Sequence, residues 1–443
     1  MTKRTGARSA IVLLVMTLLL AACGSDSTTT PDPDSPATTH VPRGWVDGEP
    51  DWGPGGHSEA AVDEAGVAAT GSDDMDREVA TGSETGEGSL RAGSVDDNER
   101  FEDYLAYLER LRDNGVELRD LDPTGRIVIS VIGSNELPVA GAEVVITQGG
   151  TEVTRSRTVA DGTTRFLPAL HGAATDEPVE VSVGEVSTSA DPDSAVTLEV
   201  DAPGGTEGPV ALDVLFLLDA TGSMGDEIDQ LKTSIDSVSE RIEALETQPD
   251  VRFGMTLYRD EGDDFVTSTY DFTGEVADFR SALADVVADG GGDYPEALDE
   301  GLADALTVPA WRDPTSTVQM VFLVADAPPQ VARDVTQAYP DSARDAVNRG
   351  IKIFPVASSS TDDQAEGVFR QLAQSTGARF VFLSYGAGGA ATGEGTDIDS
   401  TDYEELSLDD LVVRLVAEEL DHLTGTTTPV PTSSTTTTTP PGQ

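Results

Sequence analysis

Short apolar runs alternate with helical patterns across the second half of this chain, and this alternation limits the possible folds most strongly. The runs have the length of buried strands and read, in chain order, ALDVLFLLD, VRFGMTLYRD, VTSTYDF, TVQMVFLVAD, IKIFPVAS and ARFVFLS. Strands that alternate with helices predict a mostly parallel sheet covered by helices on both faces. We therefore expect residues 209–423 to form one doubly wound α/β domain.

Two of the covering helices can be located from their apolar spacing. After the first strand, apolar side chains recur at steps of three and four, which places them on one helical face: Ile228, Leu231, Ile235, Val238, Ile242 and Leu245. The stretch SLDDLVVRLVAEELDHL predicts a second helix that closes the domain. Both helices are expected to pack against the sheet.

Residues 124–202 change to a period of two, which is typical of strands. The alternating segments are separated by Gly, Asp and Pro and read GRIVISVIG, AGAEVVITQ, EVTRSRTVADGTTRF, EPVEVSVGE and AVTLEV. They predict a small all-β sandwich. The pattern resembles the carboxypeptidase-regulatory, transthyretin-like domains of secreted bacterial proteins, which implies a spacer or a surface presented to partners. His171 lies here alone, so we expect it to pack or to lie on the surface rather than to bind a ligand.

The first 22 residues have the features of a secretory signal. Lys3, Arg4 and Arg8 precede an apolar run that is too short to span a bilayer. The run ends in LAAC, which resembles a bacterial lipobox with Cys23 as the lipid-modified residue. A chance cysteine in an ordinary signal peptide is the alternative. The resemblance implies a protein anchored by lipid to the cell membrane, on its extracytoplasmic face.

Three further segments carry little sequence information about function. Residues 23–89 are rich in Ser, Thr, Pro, Gly and Asp and predict a disordered acidic tether, and residues 424–443 form a Thr/Pro-rich tail. Between tether and sandwich, residues 90–123 contain a short helical pattern that is expected to pack against a neighbouring domain: Phe101, Tyr104, Leu105, Leu108 and Leu111.

The chain is strongly acidic, with 81 acidic against 27 basic side chains and a formal net charge of -54. Phosphate backbones would be repelled by such a chain, so nucleic acid is excluded as a partner. Cations or cationic surfaces are natural partners, but the same acidity is typical of proteins from saline habitats. Both interpretations stay open.

Polar residues follow the ends of several predicted strands. Asp219 ends the first strand, with Thr221 and Ser223 in the next turn; Asp293 lies in a glycine-rich loop, and Asp326 ends a later strand. In a doubly wound sheet, ligands bind at the carboxyl ends of the strands. Carboxylate and hydroxyl oxygens suit Mg²⁺ or Ca²⁺ better than Zn²⁺ or Cu²⁺. Taken alone, the first cluster is also compatible with ordinary helix capping.

The segments DATGSM, GGGDYPEA and VADAPP resemble, in this order, the von Willebrand factor type A family and its metal-ion-dependent adhesion site. The resemblance covers residues 209–423. It implies one divalent cation at the edge of the sheet, with Mg²⁺ expected first and Ca²⁺ or Mn²⁺ as alternatives. It also implies that Asp219 and Ser223 contact the metal directly or through water, that Thr221 supplies another hydroxyl, and that Asp326 holds ordered waters.

The glycine-rich loop departs from the adhesive members of this family. Asp293 stands where those members carry a threonine, and an added carboxylate should make the metal less attractive to a carboxylate of a partner. A bacterial subgroup with TGSM and GGGDxPEA is a nearer match, and LYRDEGD also fits it. Arg259 and Asp260 would then shape the rim of the site, or alternatively form a surface ion pair.

No catalytic residues are expected. Ser223 has no histidine near a strand end to activate it, and nothing in the sequence resembles a two-metal hydrolytic pocket. The sequence therefore favours a binding module that engages a protein or cell-envelope ligand through its metal. An architectural protein with a structural metal is the first alternative, and a metal-assisted hydrolase is the second.

Overall fold

The structure is a computed structural model that describes residues 90–206, 210–292, 294–358, 361–385 and 406–425. The predicted signal, the lipidation site Cys23, the tether and the tail from residue 426 lie outside the described residues. Asp293 lies outside them as well, so its expected place in the metal site stays a prediction.

The strands and helices of the described residues are numbered in chain order. The strands are β1 Leu90–Val95, β2 Ile127–Gly133, β3 Glu143–Gln148, β4 Thr151–Arg157, β5 Thr163–Phe166, β6 Val179–Val183, β7 Val186–Ala190, β8 Ala195–Val200, β9 Ala211–Asp219, β10 Asp250–Tyr258, β11 Thr267–Thr273, β12 Thr317–Ala325, β13 Lys352–Ala357, β14 Phe380–Tyr385 and β15 Leu406–Ser407. The helices are α1 Phe101–Asp113, α2 Gly225–Glu243, α3 Val276–Ala284, α4 Leu298–Thr307, α5 Tyr339–Arg349, α6 Asp363–Thr376 and α7 Leu408–Thr424.

The larger sheet has eight strands in the order β11-β10-β9-β12-β13-β14-β1-β15. The neighbours from β10 to β14 pair in parallel, whereas β11, β1 and β15 pair antiparallel at the two sides. Because β9 lies between β10 and β12, its carboxyl end opens into the middle of the sheet edge. The predicted doubly wound, mostly parallel sheet is confirmed.

Side chains of the central strands alternate between two apolar cores. On β9, Leu212, Val214 and Phe216 face the core formed with α2, α3 and α7, while Leu215 and Leu217 face α4, α5 and α6. All six apolar residues predicted for one face of α2 are buried. This alternation explains why β9 is apolar apart from Asp213 and the terminal Asp219, since both of its faces are covered.

Residues 127–200 form the predicted all-β sandwich. Its three-stranded sheet has the order β5-β2-β8, and its four-stranded, antiparallel sheet has the order β4-β3-β6-β7. Both sheets contribute to one apolar core, for example through Ile129 and Val131 of β2 and Ile146 of β3. His171 stacks on Phe166 with ring centroids 5.3 Å apart, which agrees with the packing role expected for it.

The N-terminal strand β1 precedes the sandwich in the chain but belongs to the larger sheet. It pairs with β14 from Leu90↔Tyr385 to Val95↔Phe380. The α/β domain is therefore completed by residues on both sides of the sandwich. This strand was not expected from the sequence, which predicted only a helical pattern in this segment.

Helix α1 packs against the α/β domain, as its apolar pattern predicted. Of the predicted stripe, Tyr104, Leu108 and Leu111 are buried, whereas Phe101 and Leu105 are partly exposed; Tyr107, which was not predicted, is buried as well. Arg370 of α6 lies over the Tyr107 ring at 3.7 Å from its centroid. No helix within the described ranges is long and apolar enough to cross a membrane.

Polar contacts, partly buried, join the sandwich to the α/β domain. The Lys352 ammonium of β13 bonds to Asp161 of the sandwich at 3.1 Å and to Glu419 of α7 at 2.6 Å. Thr154 of β4 bonds to Asn348 of α5 at 3.0 Å. The sandwich is thus packed against the α/β domain.

Candidate metal site

Asp219 is the last residue of β9 and is fully buried at the carboxyl edge of the sheet. Its Oδ1 accepts hydrogen bonds from the backbone N–H of Thr221 at 3.0 Å and from the Thr221 hydroxyl at 2.7 Å. The Thr221 hydroxyl in turn lies 3.4 Å from the hydroxyl of the exposed Ser223. The structure therefore brings the three residues predicted for the first loop together.

These oxygens do not cap the following helix. Thr221 and Met224 stand at the N-cap positions of the short turn and of α2, and neither makes a side-chain capping bond. Asp219 Oδ2 is buried and has no hydrogen-bond partner among the described residues. The capping alternative is therefore not supported, and one carboxylate oxygen remains without a partner.

Asp326 follows β12 directly, next to β9 in the sheet, and is 5% exposed. Its charge is one of the influences that raise the pKa of Asp219. The first and last predicted clusters thus meet at one edge, as the parallel arrangement of β9 and β12 requires. Asp293 cannot be placed, because it lies outside the described residues.

Glu296 joins this edge and was not predicted from the sequence. Its backbone N–H donates to Pro328 O at 3.1 Å, which holds its loop beside the loop that follows β12. The side chain is 5% exposed, and its Oε2 is buried without a hydrogen-bond partner. Its position in GGGDYPEA, three residues after Asp293, is the sequence feature from which its place in the site could have been predicted.

Burial and mutual repulsion both act on these carboxyl groups. Burial, opposed by the Thr221 hydroxyl and reinforced by Asp326, raises the pKa of Asp219 to about 7. Burial, with the charges of Asp219 and Asp260 nearby, raises the pKa of Glu296 to about 8. A divalent cation would stabilise both ionised forms, because its charge compensates for the repulsion and the lost hydration.

Tyr258 closes the site from the neighbouring strand β10. Its ring is fully buried, and its hydroxyl has no partner of good hydrogen-bond geometry. The hydroxyl and Asp219 are nevertheless close enough to influence each other's pKa, and the pKa of Tyr258 is raised mainly by burial. The hydroxyl is therefore an additional donor that could orient a site oxygen.

The two predicted rim residues are both buried, which does not fit the alternative of a surface ion pair. Arg259 is 7% exposed and donates to Ala220 O at 3.1 Å and to Val287 O at 2.8 Å. Asp260 is 3% exposed and accepts from the Gln330 side chain at 3.4 Å. Arg259 therefore braces the loop after β9 against the segment that leads to the glycine-rich loop.

The donor chemistry fits a hard divalent cation. Within the described residues, no three His, Cys, Asp or Glu side chains already form a metal-binding group. The site instead combines carboxylates with the Thr221 and Ser223 hydroxyls, and two buried oxygens, Asp219 Oδ2 and Glu296 Oε2, have no partner. Oxygen-only sets of this kind suit Mg²⁺, Mn²⁺ or Ca²⁺.

Residues 213–386 match the family model of the von Willebrand factor type A domain. With the mostly parallel sheet and its covering helices, this shows a von Willebrand factor type A domain in this part of the chain. Domains of this type commonly bind a divalent metal and are generally interaction modules, which supports a role in protein interaction.

Two curated proteins share part of the sequence. The alpha-protein kinase vwkA of Dictyostelium discoideum is 34% identical over 118 residues, which make up 26% of this chain and 18% of that protein. The putative ariadne-like RING finger protein R811 of Acanthamoeba polyphaga mimivirus is 27% identical over 123 residues, or 28% of this chain and 12% of that protein. The chain thus spans less than a fifth of either relative.

Solved structures resemble parts of this chain at low sequence identity and low TM-score. The pilus adhesin SpaC from Lactobacillus rhamnosus GG, in an open conformation, is 11% identical with a TM-score of 0.35, and the match covers 50% of this chain and 31% of that chain. The conserved hypothetical protein BatB from Bacteroides thetaiotaomicron is also 11% identical, with a TM-score of 0.31. The match covers 47% of this chain and 98% of that chain.

Proposed function

We propose that this protein is an extracytoplasmic, lipid-anchored binding module that engages a protein or cell-envelope ligand through a divalent cation. The carrying observation is the pair of buried carboxylate oxygens, Asp219 Oδ2 and Glu296 Oε2, that accept no hydrogen bond of good geometry at the carboxyl edge of the sheet, although the Tyr258 hydroxyl lies near Asp219. Buried polar atoms are rarely left without partners, so an ion that both can contact accounts for them.

The cation would be held by side chains from the loops at this edge: Asp219, Thr221, Ser223, Glu296, Asp326 and, by resemblance, Asp293. Mg²⁺ is proposed first, with Mn²⁺ and Ca²⁺ as ions of the same donor preference. When bound, the cation supplies a coordination position that an oxygen atom of a partner completes. Glu296 adds to the negative charge around it, which favours a neutral partner oxygen over a carboxylate.

The alternatives, an architectural protein and an enzyme, can be distinguished from this proposal by comparing the protein with and without the cation. Capture of envelope components by the full chain is measured with Mg²⁺ and with EDTA. Loss of capture in EDTA supports the binding module. Unchanged capture with a lowered melting temperature in EDTA favours an architectural protein with a structural metal, and hydrolysis of ester or phosphate substrates that requires the cation favours an enzyme.

Replacing Glu296 with glutamine is expected to weaken Mg²⁺ binding by about 10-fold or more, because one anionic group is lost next to the ion. The cation-free protein should respond in the opposite direction. The pKa of Glu296 is raised to about 8, so the folded protein holds a proton that the unfolded chain has already released above its ordinary pKa. Stability therefore falls as pH rises towards about 8, and glutamine removes that loss.

Isothermal titration with Mg²⁺ and thermal unfolding in EDTA at pH 8 measure both effects. Glu180→Gln is the matched control, since Glu180 is an exposed carboxylate on β6 of the sandwich and its replacement changes the net charge equally. Equal Mg²⁺ affinity in Glu296→Gln and wild type would remove Glu296 from the site.

The proposed location depends on Cys23, the only cysteine of the chain. In cells that process bacterial lipoproteins, wild type should fractionate with the membrane, and Cys23→Ala should be released or left unprocessed because acyl chains supply the membrane affinity. Detergent partitioning and metabolic labelling with palmitate measure this. Identical fractionation and no label in wild type would indicate an ordinary signal peptide.

A further inference from the structure

Arg119 connects the segment between α1 and the sandwich to the metal-site loops of the α/β domain. One terminal nitrogen, Nη2, donates to Asp299 Oδ2 at 3.1 Å, to Gln330 O at 3.2 Å and to Arg333 O at 2.8 Å. Two of these acceptors are backbone oxygens of the loop between β12 and α5. This loop begins with Asp326, a proposed metal ligand.

The same loop is bound to the other loops at the site. Gln330 Nε2 donates to Pro295 O at 3.2 Å and to Asp260 Oδ1 at 3.4 Å. Arg333 pairs with Glu261 at 2.9 Å and also with Glu300. A change in the position of Gln330 would therefore be transmitted both to the rim and to the residue next to Glu296.

Arg119 is itself held in place from both its backbone and its side chain. Its N–H donates to the Tyr339 hydroxyl at 2.9 Å, and that hydroxyl donates to Gln371 Oε1 at 2.7 Å. The Asp299 carboxylate, which is 1% exposed, bonds to Arg119 and to the Tyr339 N–H at 2.6 Å. The guanidinium therefore lies at a fixed point beneath the loop.

We propose that Arg119 is a positioning residue that holds the Asp326 loop in its cation-binding arrangement. Without it, Gln330 O and Arg333 O lose a charged donor, and the buried Asp299 carboxylate loses its cationic partner. The loop is then held by fewer contacts in its cation-binding arrangement. The inference rests on the proposed cation site, and it makes the segment between α1 and β2 part of the binding machinery.

The bonding pattern also predicts which substitution is tolerated. All three acceptors lie around one nitrogen, Nη2, and share its two hydrogens, while Arg119 Nε has no hydrogen-bond partner within the described residues. A lysine ammonium offers three donors and the same charge. Arg119→Lys should therefore retain most of the function, whereas Arg119→Met, which keeps an apolar stem but has neither charge nor donors, should lose it.

The matched control is Arg252→Met, on β10 beside the amino end of β9. Arg252 pairs with Asp213 as Arg119 pairs with Asp299. The arginine side chains are 20% and 19% exposed, and the aspartate side chains are 0% and 1% exposed. Both substitutions remove a half-buried arginine from a buried aspartate and should lower the melting temperature. Of these two arginines, Arg119 contacts the Asp326 loop and Arg252 does not.

Mn²⁺ titration of the full chain, well below the melting temperature, tests the proposal. Arg119→Met should weaken Mn²⁺ binding by about 10-fold, in the range found for residues that orient metal ligands, while Arg119→Lys and Arg252→Met bind within about threefold of wild type. Mn²⁺ affinity of Arg119→Met equal to wild type, or equally weakened in Arg252→Met, would overturn the proposal.

Hydrogen exchange of the cation-free protein gives a second readout that does not require a metal. Amides of residues 327–337 should exchange faster in Arg119→Met than in wild type and Arg252→Met. If wild type binds no Mn²⁺, the proposed function fails, but exchange still decides whether Arg119 holds the loop. Unchanged exchange in Arg119→Met contradicts the inference in either case.

Discussion

Replacing Asp219 with asparagine is expected to weaken Mg²⁺ binding by more than about 100-fold, beyond the effect typical of residues that only orient a ligand. Asparagine keeps a carbonyl oxygen that can accept from the Thr221 N–H and hydroxyl, so the turn after β9 can persist. It replaces a buried carboxyl group, whose pKa is raised to about 7, with a neutral amide. The cation-free variant should therefore be at least as stable as wild type at pH 8.

Isothermal titration and thermal unfolding in EDTA measure the two quantities. Asp213→Asn on the same strand is the control, because Asp213 is also fully buried but lies at the amino end and pairs with Arg252 at 2.7 Å. This control should lose stability and keep Mg²⁺ affinity. The proposal fails if Asp219→Asn binds Mg²⁺ as wild type does.

The same variant separates binding from architecture. If the cation engages a partner, folded Asp219→Asn should no longer capture the envelope ligand that wild type captures with Mg²⁺. If the cation only stabilises the loops, capture should persist as long as the fold does. The measurement compares capture at a temperature where both proteins are folded.

The second large effect is expected on stability, from Lys352→Met. The Lys352 ammonium is 4% exposed and lies between Asp161 of the sandwich and Glu419 of α7. Removing it takes the cation from Glu419, which is buried, and from Asp161, whose side chain is 20% exposed, and breaking a buried pair in this way costs about 3–5 kcal/mol. Urea unfolding at pH 7 should show this loss in the free energy of unfolding.

Lys232→Met serves as the control for Lys352→Met. Lys232 pairs at 3.3 Å with Asp229 on the surface of α2, where the aspartate side chain is 78% exposed. Such pairs contribute about 0–1 kcal/mol. If the two lysine variants unfold at the same urea concentration, the buried contact does not join the sandwich to the α/β domain as described.

The architecture of the α/β domain could be predicted because its central strands are largely apolar on both faces. In β9, for example, every residue from Leu212 to Asp219 is buried. Strands β1 and β7, LRAGSV and VSTSA, carry no such pattern. The pairing of β1 with β14 joins residues far apart in the chain, and no local propensity encodes such a contact.

Part of the candidate site was predictable for a similar reason. Asp219, Thr221 and Ser223 are close in sequence, and Asp326 follows the strand next to β9, so the sheet topology brings them together. Glu296 was missed because its place depends on the bond between its N–H and Pro328 O, a contact between two loops. The contacts of Arg119 were equally hidden, since its acceptors are mostly backbone oxygens.

The place of β1 has a mechanical consequence. Leu90 pairs with Tyr385 at the carboxyl end of β14, so the chain enters the domain at the same edge that carries Asp219. A pull on residue 90, directed away from this edge, acts along the axis of β1. It loads the six residue pairs with β14 together in shear, rather than opening them one after another.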